Sequence, residues 1–238
     1  MALTKLPESI PFSRADYLAA IRDATGKTSP DALAYVLRED AASGKIIHVG
    51  RDKYVFPDGK RRYSHQYSTE ANLLAIYVHD DYPDATFQVF ELTQLNAFVN
   101  HLYAHNTIFL SVENELIDYV FDSLRQKYPG RVMLKPSADM YYKYLVENQI
   151  VIQRLPSESP KGTGMPWQSR LEKILVDISA DKLLSRIVSP GEFENIYYEA
   201  FSRYYLDINM MYRYARRRGA LGKTKAILRE YVPEMMEG

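Results

Sequence analysis

The 238 residues are 46% apolar and 25% charged, proportions of a globular chain long enough for one large domain or two small ones. Thirty Lys and Arg balance thirty Asp and Glu, so there is no bulk positive field to coat nucleic acid, and any such role must rest on local charge. The absence of cysteine excludes disulfides, thiol catalysis and cysteine-type zinc sites.

No apolar run reaches the roughly 18–20 residues of a membrane span. The stretch Met1–Pro7 lacks the apolar core of a signal peptide, so a cytoplasmic chain without membrane contact is expected. Charge is local instead. Lys45, Arg51, Lys53, Lys60, Arg61 and Arg62 stand against Asp52 and Asp58 near the start. Near the end, Arg203, Arg213, Arg216, Arg217, Arg218, Lys223, Lys225 and Arg229 stand against Asp207 alone. Twenty tyrosines against nine phenylalanines suit half-buried surfaces, where the ring packs and the hydroxyl meets water or a partner.

Ser13 caps a first helix, with Asp16 as the acid of a capping box and Gly26 as its stop. Tyr17, Leu18, Ile21 and Ala24 recur along it at helical spacing. Ser29-Pro30 opens a second helix with Leu33, Val36, Leu37 and Ala41 on its apolar side, ending at Gly44. Lys45–Val49 and Lys53–Phe56 read as paired strands turning at Gly50-Arg51-Asp52 and closed by Pro57-Asp58-Gly59. Helix, capped helix and basic hairpin predict a winged helix-turn-helix over residues 1–63. Its usual additional helix is sought in Pro7–Phe12 or at Ala24–Thr28. The polar, basic run Pro57–Tyr67 is the expected linker.

Residues 64–238 predict a mixed α/β domain with a helical C-terminal part, making the whole chain α+β. Helices are expected over 69–79, 93–105, 115–128 and 138–147, alternating with strands over 86–91, 107–112, 131–134 and 149–155. Such alternation implies strands that are at least partly parallel. A loop over 156–166 leads to helices over 167–180, 190–205, 207–218 and 220–231. Leu171, Ile174, Leu175 and Ile178 mark the first of these as a core helix, with Glu172 and Asp177 on a charged outer face.

On the second helix, Thr28, Ser29, Tyr35 and Arg38 are the candidates to read base edges, beside Asp31 on the same exposed side. Free N–H groups at the Thr28–Ser29 end also suit a phosphate. Lys45, Arg51 and Lys53 are the candidate phosphate contacts from the hairpin. The same shape also serves protein-interaction modules that touch no DNA. The run Arg216-Arg217-Arg218 closes a helix, where cations oppose the dipole; it equally suits docking to an acidic protein or nucleic acid.

No catalytic set emerges, and no enzyme, cofactor or metal is expected. His101 and His105 are spaced i, i+4 on an expected helix, but Leu102 stands where a zincin carries glutamate. There is no P-loop, nucleophile elbow or dinucleotide fingerprint. Glu113 and Lys135 each end an expected strand, as in metal-dependent nucleases, without the acid-x-Lys unit or a second acid.

The segments Gly44–Tyr54, Phe87–Glu91, Leu95–Phe98, Ile108–Glu113, Leu155–Ser157, Leu171–Asp177 and Tyr212–Gly219 occur in a suggestive order. Together they resemble the AbiE-type antitoxin and transcriptional regulator family of type IV toxin–antitoxin systems, over nearly the full chain. The resemblance implies a bacterial phage-defence regulator whose winged helix binds double-stranded operator DNA and represses its own operon. It also implies that residues 64–238 counter a cognate nucleotidyltransferase-type toxin, with or without stable contact. Arg216, Arg217 and Arg218 are the candidates for that second role. At the hairpin tip Asp52 departs from the small or basic residue expected there.

Overall fold

The computed structural model describes residues 6, 11–56, 60, 62–162 and 164–233. The chain is a mixed α/β protein with two sheets and ten α-helices among these residues. Strand β1 (Phe12–Ser13) runs directly into α1 (Arg14–Thr25), and α2 (Pro30–Ala42) follows. The Ser13 hydroxyl accepts the Asp16 N–H at 3.1 Å and the Asp16 carboxylate accepts the Ser13 N–H at 3.0 Å, a complete capping box. Gly26, at φ +67°, then turns the chain out of α1. That turn holds no additional helix, and Phe12 lies in a strand; Pro7–Ile10 lie outside the described residues.

Strands β2 (Ile47–Gly50) and β3 (Lys53–Val55) form the expected hairpin, and β1 joins it on the far side in the antiparallel order β1-β3-β2. A small core of Phe12, Tyr17, Ile21, Leu33, Leu37 and Ile46 lies between helices and sheet. The hairpin's closing residues Pro57–Gly59, and Arg61 in the expected linker, lie outside the described residues. Tyr63 packs against Phe98 and Tyr204, so the chain has entered the second unit by that position.

The second sheet is β4 (Phe87–Glu91), β5 (Thr107–Val112), β7 (Gln149–Arg154) and β6 (Val132–Leu134), in that spatial order. β5, β7 and β6 are parallel and β4 is antiparallel to β5. The crossovers run through α4 (Ile117–Lys127) and α5 (Ala138–Lys143). β5 is buried on both faces, and alternation sorts its side chains. Ile108, Leu110 and Val112 face a core shared with α3 (Thr69–Asp81) and α4, while Phe109 faces the opposite core.

That opposite core is built by α6 (Leu171–Ala180), α8 (Phe193–Arg203), α9 (Ile208–Arg217) and α10 (Leu221–Tyr231), with the short α7 (Leu184–Ile187) between α6 and α8. Three expectations need correction. The segment 93–105 is a 3-10 turn, Leu92–Ala97, followed by a loop. There the Asn96 side chain accepts the Tyr103 N–H at 2.8 Å and donates to the Tyr103 carbonyl at 3.2 Å, competing with helical bonding. Trp167–Ser169 is extended, not helical. It lies along β4, Val89 N–H donating to the Trp167 carbonyl at 2.7 Å and Ser169 N–H to the Val89 carbonyl at 3.2 Å.

The third correction concerns α6. Every residue from Leu171 to Ser179 is buried, so the helix has no charged outer face. Glu172, Lys173 and Asp177 lie inside, which is tolerable only because each has a partner. Lys173 Nζ is 2.7 Å from Asp177, and Glu172 takes Arg170 and the Asp207 N–H.

Candidate nucleic-acid interface

All seven residues expected to meet DNA are exposed. Leu33 and Leu37 turn the other side of α2 into the core, which leaves Asp31, Tyr35 and Arg38 on its outer face. Ser29 occupies the N-cap position, yet its side chain makes no capping bond, so the first-turn N–H groups stay open to a ligand. Arg51 and Lys53 flank the tip of the hairpin.

The tip is anchored to the start of α1 by the Arg14 N–H, which donates to the Asp52 carbonyl at 3.1 Å. Thr28 and Ser29 follow the other end of the same helix. Its 12 residues at a rise of 1.5 Å set the two groups about 18 Å apart along its axis. Asp52 has φ +60°, a left-handed conformation that Asp, Asn and Gly enter most readily. The acid at the tip therefore has a backbone reason.

Lys45 is less available than Arg51 or Lys53. Its Nζ sits 3.1 Å from Asp40, whose other oxygen accepts the Tyr17 hydroxyl at 2.6 Å. Burial, then the hydrogen bond and charge of Asp40, raise the Tyr17 pKa far above its ordinary value, so it remains a donor. Asp40 thus ties both helices to the entry of β2 and neutralises much of Lys45.

The three arginines at the end of α9 separate into distinct environments. Arg216 is exposed with no ion pair among the described residues, and Arg217 pairs with Glu158. Arg218 turns inward, Nε 3.2 Å from Asp177 and Nη2 3.1 Å from Asp181. The Tyr214 hydroxyl adds a hydrogen bond of 2.9 Å to Asp177. Arg218 is therefore part of the buried lattice of α6 rather than exposed surface. The i, i+4 spacing of Lys173 and Asp177 was its visible trace in the sequence.

The remaining sequence candidates do not converge. His101 and His105 lie in the loop, each against its own carboxylate, Glu192 and Glu147, both at 3.0 Å. Glu113 follows β5 and accepts the Thr86 N–H at 3.0 Å. Lys135 follows β6, so the whole of β7 stands between the two. Among the described residues no three His, Asp or Glu side chains form a group that could hold a metal ion, and no helix is long and apolar enough to cross a membrane.

A family model described as a family of unknown function, DUF6577, matches residues 32–234. The chain belongs to DUF6577. In this DUF6577 chain the matched region begins within α2 and takes in the hairpin, both faces of the larger sheet and all the C-terminal helices. No curated protein matches it in sequence. Among solved structures, the RV2827C protein from Mycobacterium tuberculosis aligns over 92% of this chain and 75% of its own, at 12% identity and a TM-score of 0.24. A likeness at that level carries no argument.

Proposed function

We propose that this DUF6577 protein is a DNA-binding antitoxin and autoregulatory repressor of the AbiE type. In this reading residues 1–63 form a winged helix-turn-helix, and residues 64–238 counter a nucleotidyltransferase-type toxin in the bacterial cytoplasm. The observation that carries the DNA half is the pairing of β1 with β3, Phe12 opposite Tyr54 and Ser13 opposite Lys53. It makes the order strand, helix, helix, strand, strand, with the first strand locked to the last. A wing needs that connection to be held rigidly beside a reading helix.

The geometry supports a division of labour. α2 offers Thr28, Ser29, Tyr35 and Arg38 to base edges, while Arg51 and Lys53 meet phosphates. The hairpin tip and the Thr28–Ser29 end, about 18 Å apart along α1, span more than the roughly 12 Å width of a major groove, so in this reading the wing meets the backbone beside the groove that α2 enters. The test is fluorescence anisotropy of the full chain on duplexes from its own promoter region at several salt concentrations. A linear fall of log affinity with log salt, shallower in Lys53→Ala, supports the reading.

A second reading, a protein-interaction module, draws on Asp31 on the outer face of α2 and Asp52 at the hairpin tip, which place carboxylates beside the proposed base-reading and phosphate contacts. It expects no DNA affinity at any salt concentration. The toxin half of the proposal is tested by co-expression with the nucleotidyltransferase encoded beside this gene. Rescue of growth supports it, and toxicity undiminished by a folded chain rejects it.

A further inference from the structure

Between β2 and the start of α9 lies a cleft of about 620 Å³, floored by residues 168–172. Both structural units contribute to it, His48 from the hairpin and Arg170 from the entry to α6. Its volume lies within the range of small-molecule sites and is far larger than a bare phosphate requires.

Two arginines, Arg62 and Arg170, line it. The guanidinium of Arg170 carries five N–H groups. Its partners are Glu172, 3.5 Å from Nε, and the Met210 thioether, 3.6 Å from Nη1, which leaves most of those donors without an oxygen. Arg62 is exposed at the rim and makes no ion pair among the described residues. Ser169 contributes to the wall, but its hydroxyl is itself buried and has no hydrogen-bond partner among the described residues. His65 also lines the cleft, its Nε2 3.4 Å from Glu91.

The two acids on the same walls are already engaged. Glu172 holds Arg170 and accepts the Asp207 N–H at 3.1 Å. Asp207 caps α9, accepting the Met210 N–H at 2.9 Å. The cleft therefore presents the guanidinium groups of Arg62 and Arg170 to whatever enters, with Tyr63 and Tyr205 also on its walls. We propose that it binds a nucleoside phosphate, the phosphate against Arg62 and Arg170 and the base along the two tyrosines. Such a ligand sits beside the entry to α6 and the start of α9, and its binding does not depend on the DNA reading above.

The test is calorimetric titration of the full chain with AMP, adenosine and inorganic phosphate, alongside melting curves. Saturable AMP binding with a raised melting temperature is expected, and adenosine and inorganic phosphate should each bind at least about tenfold more weakly. Arg62→Ala should weaken AMP by a similar factor. Arg125→Ala, an exposed cation on α4 that does not line the cleft, should bind AMP normally. The proposal is overturned if the folded chain does not bind AMP, or if adenosine or inorganic phosphate binds as tightly. It is equally overturned if Arg62→Ala leaves AMP affinity unchanged, or if Arg125→Ala reduces it as much as Arg62→Ala does.

Discussion

Arg218, at the end of α9, holds its Nε 3.2 Å from the carboxylate of Asp177, a residue of α6 that is itself buried. The pair joins two helices of the larger core, and Asp177 further holds Lys173 and the Tyr214 hydroxyl. Removing one partner of such a pair leaves the other charge inside with less compensation. Arg218→Ala should therefore destabilise the protein by about 3 kcal/mol, measured by urea unfolding. Arg216→Ala, at an exposed position without an ion pair among the described residues, should change stability by less than about 0.5 kcal/mol.

This separates the two readings of the basic run. If the end of α9 counters the toxin, charge reversal at Arg216 and Arg217 together should abolish rescue of toxin-expressing cells while the melting temperature stays near that of the wild type. Unimpaired rescue by that double variant would move the toxin-countering surface elsewhere on residues 64–238.

On DNA, losing Arg51 or Lys53 should lower affinity evenly across sequences and reduce the salt slope by about one unit each. Lys45→Ala should do less, because Asp40 already neutralises much of that charge. Arg38→Ala should cost roughly 1–3 kcal/mol on the preferred duplex and relax the preference there. Equal losses on preferred and random duplexes would remove Arg38 from the base-reading set.

Glu91 predicts an acid-sensitive step. It is buried at the end of β4, where it accepts the Ser68 N–H at 2.9 Å and Asn106 Nδ2 at 2.8 Å and faces His65. Burial raises its pKa, but the bonds from His65, Ser68 and Asn106 outweigh burial and leave it below the usual 4.5. A carboxylate lowered in the native state contributes stability that is complete above the ordinary value and is lost as pH falls through the native one. Glu91→Gln should cost about 2 kcal/mol at neutral pH. That deficit should shrink below pH 4.5, as urea unfolding across the acid range will report.

Separation of the two units should respect Tyr63. Its ring packs on Phe98 and Tyr204, and its hydroxyl accepts Gln94 Nε2 at 3.1 Å. A fragment beginning at Arg62 should stay folded, lose DNA binding and keep toxin rescue. One beginning at Ser64 should melt several degrees lower by circular dichroism.

Local chemistry is what the sequence by itself determined. Ser13 with Asp16 announces a helix start because a capping side chain bonds to backbone only two or three residues away. The hairpin was legible from its turn, and the β-α alternation of 107–154 from its period. Contacts at long range were not legible. An apolar stripe implies a helix with one dry face, so Glu172 and Asp177 read as outward. α6 is buried on every side because the larger sheet lies against one flank and α8, α9 and α10 close the others. Only that layering decides that Lys173 and Arg218 meet Asp177 and Asp181 there. In the same way, Arg62, Ser169 and Arg170 become one cleft because the first lies where the chain enters the second unit and the others lie where it runs from the edge of β4 into α6, over 100 residues later. No spacing rule spans that interval, since the path between them is set by how the two cores pack.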